Sequence, residues 1–188
     1  MSEEEEMKLT LPKGIVTKRL DIRPHTTDDY DAFVEFVTDD VATRFLNFEP
    51  EQKTAQGARE LLDFIIASYA TENPVFALAI TERDNGAYLG ACGLSPLSDD
   101  EGVECYFWLL PRYWGWGYAT EAIRALLYFA FVELGLKKVV TNIASDNTGA
   151  KKVAENAGMT DEGPVKPREL PAGARFAMTN TEYASMYQ

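Results

Sequence analysis

The stretch Arg112-Tyr113-Trp114-Gly115-Trp116-Gly117-Tyr118-Ala119-Thr120 decides the fold of this chain. It follows an apolar run that Pro111 closes, and it leads into a long segment with apolar residues at helical spacing, which together predict a strand, a tight loop and a helix. Two glycines one residue apart let backbone amides approach a ligand that a Cβ atom would exclude. The helix behind them directs unpaired N–H groups and the positive end of its dipole at the same point. The stretch therefore predicts an anion site suited to phosphate.

Two common nucleotide-binding loops do not fit this stretch. A dinucleotide fingerprint needs a third glycine where Thr120 stands, and it normally follows the first strand of its domain. A Walker loop needs a Gly-Lys-Ser/Thr triplet, which the stretch lacks. The pattern that remains is Arg-x-x-Gly-x-Gly in the second half of the chain.

Composition and charge limit the class of protein. The 188 residues, of which 46% are hydrophobic, can form one core that buries about 70% of the unfolded surface. The formal net charge of −12 argues against nucleic acid as a partner, because phosphates require a basic surface. The acidic start, Glu3 to Glu6, lacks the positive charge and apolar core of a secretion signal, and no apolar run approaches the roughly 20 residues of a membrane span. We expect a cytoplasmic protein with a flexible acidic N-terminus, residues 1–13, and one domain, residues 14–188.

Hydrophobic periodicity predicts the remaining elements. We expect strands over residues 16–22, 75–81, 87–94, 103–110, 137–143 and 174–182, and helices over residues 26–37, 54–69, 118–134 and 147–157. Asn85-Gly86 predicts a hairpin turn, and residues 95–102 a polar turn. Cys92 and Cys105 fall in strand-like apolar segments, so we expect buried thiols and neither a disulfide nor a metal site.

Three stretches resemble the GCN5-related N-acetyltransferase, or GNAT, family. The run from Pro111 to Ala122 is similar to the acyl-CoA pyrophosphate loop of that family, above all in the branch that contains the ribosomal-protein N-terminal acetyltransferases. The segment from Asn147 to Met159 resembles the second GNAT signature, and Arg19-Leu20-Asp21-Ile22-Arg23-Pro24 is a weaker match to the family's first strand. The resemblance implies one acetyltransferase domain of mixed α/β (α+β) class. Its GNAT fold would be a mostly antiparallel, twisted sheet of roughly six or seven strands, with a splayed central pair and helices on both faces.

The resemblance also implies a cofactor, acetyl-CoA. The loop would offer its amides to the pyrophosphate, and the end of the preceding strand would hydrogen-bond the pantetheine arm. Asn147 matches an asparagine that reaches the pantetheine or the acceptor amine, although a plain helix cap explains it equally well. Arg112, Lys151 and Lys152 are candidates for the positive pocket that an acidic protein needs around an anionic ligand, and the alternative for Arg112 is a surface charge covering the loop. The expected cofactor-binding residues are Trp108, Leu109, Leu110, Arg112, Trp114, Gly115, Trp116, Gly117, Tyr118, Ala119, Thr120, Asn147 and Lys152.

Acetyl transfer requires a bound thioester, an amine without its extra proton and stabilisation of the oxyanion. Glu104, the one charged residue of the strand before the loop, is the candidate general base, because an alkylammonium has a pKa of about 10.4. The alternative is a carboxylate exposed at the end of the strand. Asn147 is the second catalytic candidate, and Asn47 or Glu49 would contact the substrate unless they are only solvated. We interpret His25, the single histidine, as incidental.

The chain departs from the family pattern at two positions. Many GNAT enzymes have a tyrosine that acts as the general acid at the position of Ala154, and this branch commonly has a serine at the position of Ala150. A thiol with a pKa of about 8.5 leaves without much help, so the sequence remains compatible with activity. Candidates to replace the missing hydroxyl groups are Tyr113, Tyr118 and Tyr183.

Three functions of different kinds remain open. The first is an N-acetyltransferase acting on a primary amine, such as a peptide N-terminus, a polyamine or an aminoglycoside-like compound. The second is an acyl-CoA-binding sensor that kept the loop and lost turnover. The third is a generic α/β binding domain with a fortuitous loop. We expect a small-molecule or peptide amine as substrate, no nucleic-acid or membrane partner, and a monomer or homodimer.

Overall fold

The computed structural model describes residues 9–97, 102–165 and 172–186. The strands are β1 (Ile15–Val16), β2 (Leu20–Pro24), β3 (Ala77–Glu82), β4 (Tyr88–Pro96), β5 (Val103–Leu109), β6 (Lys138–Ala144), β7 (Thr160–Pro164) and β8 (Gly173–Thr179). The α-helices are α1 (Tyr30–Thr38), α2 (Ala55–Ser68), α3 (Tyr118–Tyr128), α4 (Thr148–Asn156) and α5 (Asn180–Met186). Short 3-10 turns, Thr27–Asp29 and Pro111–Tyr113, precede α1 and α3, and a π-helical turn, Phe129–Glu133, extends α3. Within the described ranges, no helix is both long and apolar enough to cross a bilayer.

The strands form one sheet in the order β1-β2-β3-β4-β5-β6-β8-β7. Every neighbouring pair is antiparallel except β5 and β6, which are parallel. A parallel pair needs a long crossover connection, and α3 lies in that connection. The mixed α/β class and the mostly antiparallel sheet predicted from the sequence are confirmed.

The two parallel strands diverge soon after they meet. They pair only at their starts, Val103 opposite Val139 and Glu104 opposite Val140. Beyond Glu104, β5 stays paired with β4 as far as Leu109, whereas β6 stays paired with β8. The expected splayed central pair is therefore present, and it opens a cleft between β5 and β6.

Helices cover both faces of the sheet and bury an apolar core on each. On one face α3 contributes Ile123, which is fully buried, and on the other α1 contributes Phe36, also fully buried. Full burial of a side chain of this size stabilises the fold by about 1.5–3 kcal/mol. Along β5, Leu109 packs in the α3 core and Trp108 in the α1–α2 core. This alternation explains why β5 is apolar at nearly every position.

The single strand predicted over residues 16–22 is two strands. The Thr17 N–H donates to the Leu20 carbonyl at 2.9 Å, and the Thr17 hydroxyl accepts from the Leu20 N–H at 2.9 Å. This turn folds β1 back onto β2, with Ile15 opposite Ile22. The apolar alternation continues across the turn, so periodicity alone did not reveal it.

The C-terminal part also differs from the prediction. The last strand ends at Thr179 rather than Glu182, because the N–H and hydroxyl of Thr179 both donate to the Glu182 carboxylate at 2.7 Å and start α5. Strand β7 was not predicted, since its five residues, TDEGP, are mostly polar. The split first strand and β7 give eight strands in the described residues. Residues 1–8 of the expected flexible N-terminus and 98–101 of the expected polar turn lie outside those residues.

Candidate active site

The predicted anion-binding loop joins β5 to α3 and contains two left-handed glycines. Gly115 and Gly117 have φ angles of +79° and +78°, a region that other residues enter only at a cost. A Cβ atom at Gly115 would meet no protein atom within 4 Å. Glycine is therefore required by the backbone conformation and not by crowding within the protein, and the space over the loop is open to a ligand.

Helix α3 begins without a side-chain cap. Gly117 is its N-cap residue, and the first helical bond runs from the Glu121 N–H to the Gly117 carbonyl at 3.1 Å. The N–H groups of Tyr118, Ala119 and Thr120 precede that bond, so they have no acceptor inside the helix. These three amides and the positive end of the helix dipole converge on one point, where an anion is stabilised.

Two side chains of the loop bond to the protein itself. The Trp114 Nε1–H donates to the Leu109 carbonyl at 2.8 Å, which ties the loop to the end of β5. The Arg112 guanidinium pairs with Glu35 of α1, with Nη2 3.1 Å from Oε2, and this hydrogen bond raises the pKa of Arg112. Both partners are about half exposed, so the pair contributes only about 0–1 kcal/mol. The charge of Arg112 is thus already partnered by a carboxylate.

Arg19 lies against the loop, although we did not predict it as a site residue. It is in the turn between β1 and β2, where its Nη1–H donates to the Trp116 carbonyl at 3.0 Å and its Nε–H to Glu121 Oε2 at 2.6 Å. Burial alone would raise the pKa of Glu121, but hydrogen bonds from Thr17 and Arg19 outweigh it and lower that pKa. The only signal in the sequence was the membership of Arg19 in the stretch that resembles the family's first strand.

A groove of about 790 Å³ runs from this turn along the exposed side of α3. Lys18, Arg19 and Arg124 line it together with Gly117 of the loop. Glu121 also lines the groove, where it pairs with Arg19. On a chain with a formal charge of −12, this is a local concentration of positive charge next to the loop amides, and it comes from residues that we did not predict for that purpose.

The outer edge of β5 faces the cleft. The Leu110 N–H donates to the Leu89 carbonyl at 2.8 Å, so the backbone groups of Leu110 point toward β4, as do those of Trp108 by the alternation of an antiparallel ladder. Leu109 points its N–H and carbonyl to the opposite edge, where β6 has already diverged. Of the three residues predicted to bind a pantetheine arm, Leu109 is therefore the one whose backbone faces the cleft.

Glu104 lies at the base of the cleft. It is the last residue of β5 that pairs with β6, its side chain is partly exposed, and its Oε1 accepts a hydrogen bond from the Asn142 N–H at 3.2 Å. The Arg175 Nε–H donates to the Asn142 Oδ1 at 3.0 Å, and sequence reasoning had identified neither residue. At 3.3 Å per residue, Glu104 lies roughly 17 Å along the strand from Leu109. A ligand held by the loop would reach Glu104 only through an extended arm.

Helix α4 starts just after β6. The Asn147 Oδ1 accepts from the Ala150 N–H at 3.1 Å, so Asn147 is a helix cap, one of the two roles expected for it. Lys151 donates to a backbone carbonyl of the turn before α4, and Lys152 is exposed. Ala154 is fully buried in the α3 core. A tyrosine at that position would overpack the core.

The loop between α1 and α2 packs near the same strand. Phe48 contacts Phe36 edge-on, with ring centroids 6.3 Å apart, and Phe36 stacks on Trp108 of β5 at 3.4 Å. Asn47 and Glu49, the predicted substrate residues, flank Phe48 and are exposed. A separate concavity of about 450 Å³ over the start of α2 contains none of the predicted site residues.

The tyrosines considered as proton donors have other contacts. The Tyr118 hydroxyl donates to Glu82 of β3, and the Tyr113 ring meets the Tyr118 ring edge-on at 6.5 Å. Tyr183 is buried against Phe131. These contacts fix Tyr118 beside a carboxylate and Tyr183 in the α3 core.

An open helix end beside a splayed parallel pair is the arrangement of the acyltransferases that the sequence resembles, and the comparisons with known proteins agree. Residues 19–160 match the family model described as an acetyltransferase (GNAT) domain, and this chain belongs to that family of enzymes. It is 24% identical over 176 residues to the uncharacterized N-acetyltransferase p20 of Bacillus licheniformis. The match covers 90% of this chain and 98% of that relative.

Solved structures show the same fold. A putative ribosomal-protein-serine acetyltransferase from Vibrio cholerae superposes with a TM-score of 0.75 at 21% identity, over 88% of this chain and 97% of that one. RimJ of Mycobacterium smegmatis, in complex with CoA-disulfide, superposes with a TM-score of 0.69 at 15% identity, over 89% of this chain and 88% of that one. The resemblance stated from three stretches of sequence is therefore confirmed.

Proposed function

We propose that this protein is an N-acetyltransferase that moves the acetyl group of acetyl-CoA to a primary amine by direct attack. The observation that carries the proposal is the continuity of three features along β5. The open N-terminus of α3 suits an anionic head group, the backbone edge at Leu109 suits an extended arm, and Glu104 lies where that arm would end. Leu109 and Glu104 lie roughly 17 Å apart along one strand, so an arm that passes Leu109 must be extended to bring its reacting end to Glu104.

The residues present fit acetyl-CoA. The amides of Tyr118, Ala119 and Thr120 suit the diphosphate, and the positive groove beside Gly117 favours an anionic ligand on an otherwise acidic protein. The N–H of Leu109 can pair with an amide carbonyl of pantetheine as a strand pairs with its neighbour, while the Leu109 carbonyl already accepts a hydrogen bond from Trp114 Nε1. When bound, acetyl-CoA supplies an activated thioester.

Glu104 is the proposed general base. It would accept the proton of the ammonium group directly or through one water, since an amine with a pKa of about 10.4 is almost wholly protonated at neutral pH. The Asn142 N–H holds one carboxylate oxygen at 3.2 Å, which orients the group. A backbone N–H on the outer edge of β5 would stabilise the oxyanion. Asn147 stays a proposed contact to pantetheine or amine in addition to its role as a cap.

The leaving thiolate has no hydroxyl beside it at either position where the family supplies one. Ala150 and Ala154 stand there, and a thiol pKa of about 8.5 makes unassisted departure feasible. This observation also supports a second candidate function, an acyl-CoA-binding sensor with little or no turnover. The two candidates share the loop and differ in whether thiol is released.

We propose a cationic amine, a small molecule or a peptide N-terminus, as the acceptor. A formal charge of −12 attracts cations over several ångströms and repels acidic acceptors. Among the structural neighbours, the protein from Vibrio cholerae is named for a ribosomal protein as its acceptor. Lys152, Asn47 and Glu49, all exposed, remain proposed contacts for the ribose phosphate and the acceptor.

Two measurements test the proposal. At 100 times its Kd, CoA should add about 2.7 kcal/mol to the free energy of unfolding, which raises the Tm of a chain of this size by roughly 5–10 °C. Thiol release from acetyl-CoA should then depend on an added amine from a panel of peptides, polyamines and aminoglycosides. Absence of the thermal shift would refute both candidates, and a shift without amine-dependent thiol release would favour the sensor.

A further inference from the structure

Arg19 contacts both ends of the first turn of α3. At the start of the turn its Nη1–H donates to the Trp116 carbonyl at 3.0 Å. At the end of the turn its Nε–H and its backbone N–H donate to the two oxygens of Glu121, at 2.6 and 2.9 Å. The three amides proposed to bind the diphosphate lie between these two contacts. One side chain thus spans the whole anion-binding turn.

The bond to Trp116 determines where the next amide points. In a trans peptide the carbonyl of one residue and the N–H of the following residue point in opposite directions. Because Arg19 holds the Trp116 carbonyl, the Gly117 N–H is directed away from Arg19, to the other side of the loop. Gly117 can adopt many φ and ψ values, so without this bond its peptide would sample several orientations.

Arg19 is itself held in place. Its guanidinium carbon lies 4.4 Å from the centroid of the Tyr118 ring, and the Tyr118 hydroxyl donates to Glu82 on β3. A Cβ atom at Gly117 would lie 3.6 Å from the Arg19 Nη2, so the guanidinium packs directly behind the glycine. A planar group with several donors in fixed geometry can make these contacts at once, which a lysine cannot.

We infer that Arg19 is a positioning residue that orders the loop amides before the diphosphate binds. The inference rests on the proposed function and deepens it. Arg19 acts through the Trp116–Gly117 peptide and the Glu121 carboxylate, not as a phosphate ligand. Its loss should therefore weaken the binding of donors that carry a diphosphate, and it should leave the chemical step near Glu104 unchanged.

The test compares two acyl donors. Acetyl-CoA uses the loop, whereas the S-acetyl thioester of N-acetylcysteamine lacks the nucleotide and the diphosphate. In Arg19→Met the KM for acetyl-CoA should rise about 10- to 100-fold, the range that loss of a hydrogen bond from a charged donor supplies, with kcat unchanged. The kcat/KM for the truncated donor should stay at the wild-type value. Arg19→Lys keeps a charge beside Glu121 but cannot bond both Glu121 and the Trp116 carbonyl. Its KM for acetyl-CoA should therefore be intermediate between those of Arg19→Met and the wild type.

Arg83→Met is a matched control. Arg83 also bonds the turn between β1 and β2, donating to the Thr17 carbonyl at 2.9 Å, with its Nε 3.7 Å from Asp21. Within the described part of the chain, its side chain bonds to this turn and not to the loop, so its loss should leave both donors unaffected while changing the charge equally. Equal losses with both donors in Arg19→Met would show a general disturbance of the fold and overturn the inference, as would identical kinetics of Arg19→Met and Arg83→Met. If the wild type neither binds CoA nor releases thiol, the proposed function itself fails.

Discussion

Replacing Glu104 by glutamine removes a proton acceptor and keeps the size and shape of the side chain. The glutamine Oε1 can still accept the hydrogen bond from the Asn142 N–H, which is 3.2 Å long in the wild type. A bond to a neutral acceptor is weaker than one to a carboxylate, so the change at this bond should lower the free energy of unfolding by about 1 kcal/mol. A positioned base typically contributes 10²- to 10⁴-fold, and kcat should therefore fall by that factor, about 2.7–5.4 kcal/mol in activation free energy. The Kd of CoA should be unchanged, because Glu104 lies roughly 17 Å along β5 from Leu109, the end of the strand that leads into the loop.

The assay is thiol release at saturating acetyl-CoA and amine, followed as a function of pH. With an alkylamine acceptor, the deficit in kcat of Glu104→Gln should shrink as the pH approaches about 10.4, where that amine loses its proton to solvent. Glu162→Gln is the matched control, because Glu162 is an exposed carboxylate on β7 that pairs with Lys138 and its loss changes the net charge equally. If the two variants had the same kcat at neutral pH, Glu104 would not be the base.

Three further predictions concern the loop, the leaving group and pH. Gly117→Ala forces alanine to a φ of +78° at a cost of about 1–2 kcal/mol, and calorimetry should show CoA binding at least tenfold more weakly; an unchanged Kd would exclude the loop amides as ligands. Ala150→Ser restores a hydroxyl at the start of α4 and should raise kcat, whereas an unchanged kcat would show that departure of the thiolate is not limiting. His25 is 2% exposed, and burial lowers its pKa below the ordinary value of 6.5. The unfolded chain therefore binds its proton first, and stability should fall as the pH drops below about 6.5. Nearby Asp29 has a lowered pKa, so its contribution is lost only in stronger acid. In denaturant unfolding, the free energy of unfolding of His25→Phe should fall less between pH 7 and 5 than that of the wild type. An equal dependence on pH in the two proteins would contradict this.

The parts of the fold that depend on local chemistry were predictable. Gly115 and Gly117 lie between an apolar strand segment and a segment with apolar residues at helical spacing, and the structure has the strand, loop and helix in those positions. The turn at Thr17 was missed, because the Thr17 hydroxyl stabilises it by accepting a hydrogen bond from the Leu20 N–H. No glycine or proline in the sequence indicates this turn. Strand β7 was missed because an edge strand with polar residues has no apolar pattern to detect.

The site was less predictable, because its contacts join residues far apart in the chain. Arg19 and Glu121 are separated by 102 positions, and Arg112 pairs with Glu35 across 77 positions. No periodicity relates such residues. Glu104 could be proposed because a carboxylate interrupts an otherwise apolar strand, whereas Asn142 contacts it through a backbone N–H that any residue type could supply.

The chain has three tryptophans, and all of them lie between Trp108 and Trp116, on the edge of the cleft and in the loop that follows it. Trp116 is 68% exposed, and Trp114 is 48% exposed with its indole N–H bonded to the end of β5. Tryptophan emission, excited selectively over the nine tyrosines, therefore originates only from β5 and from the loop where the nucleotide is proposed to bind. Quenching or a spectral shift of Trp114 and Trp116 during a titration would report occupancy of the loop, with Trp108 in the α1–α2 core as the one other source of tryptophan emission.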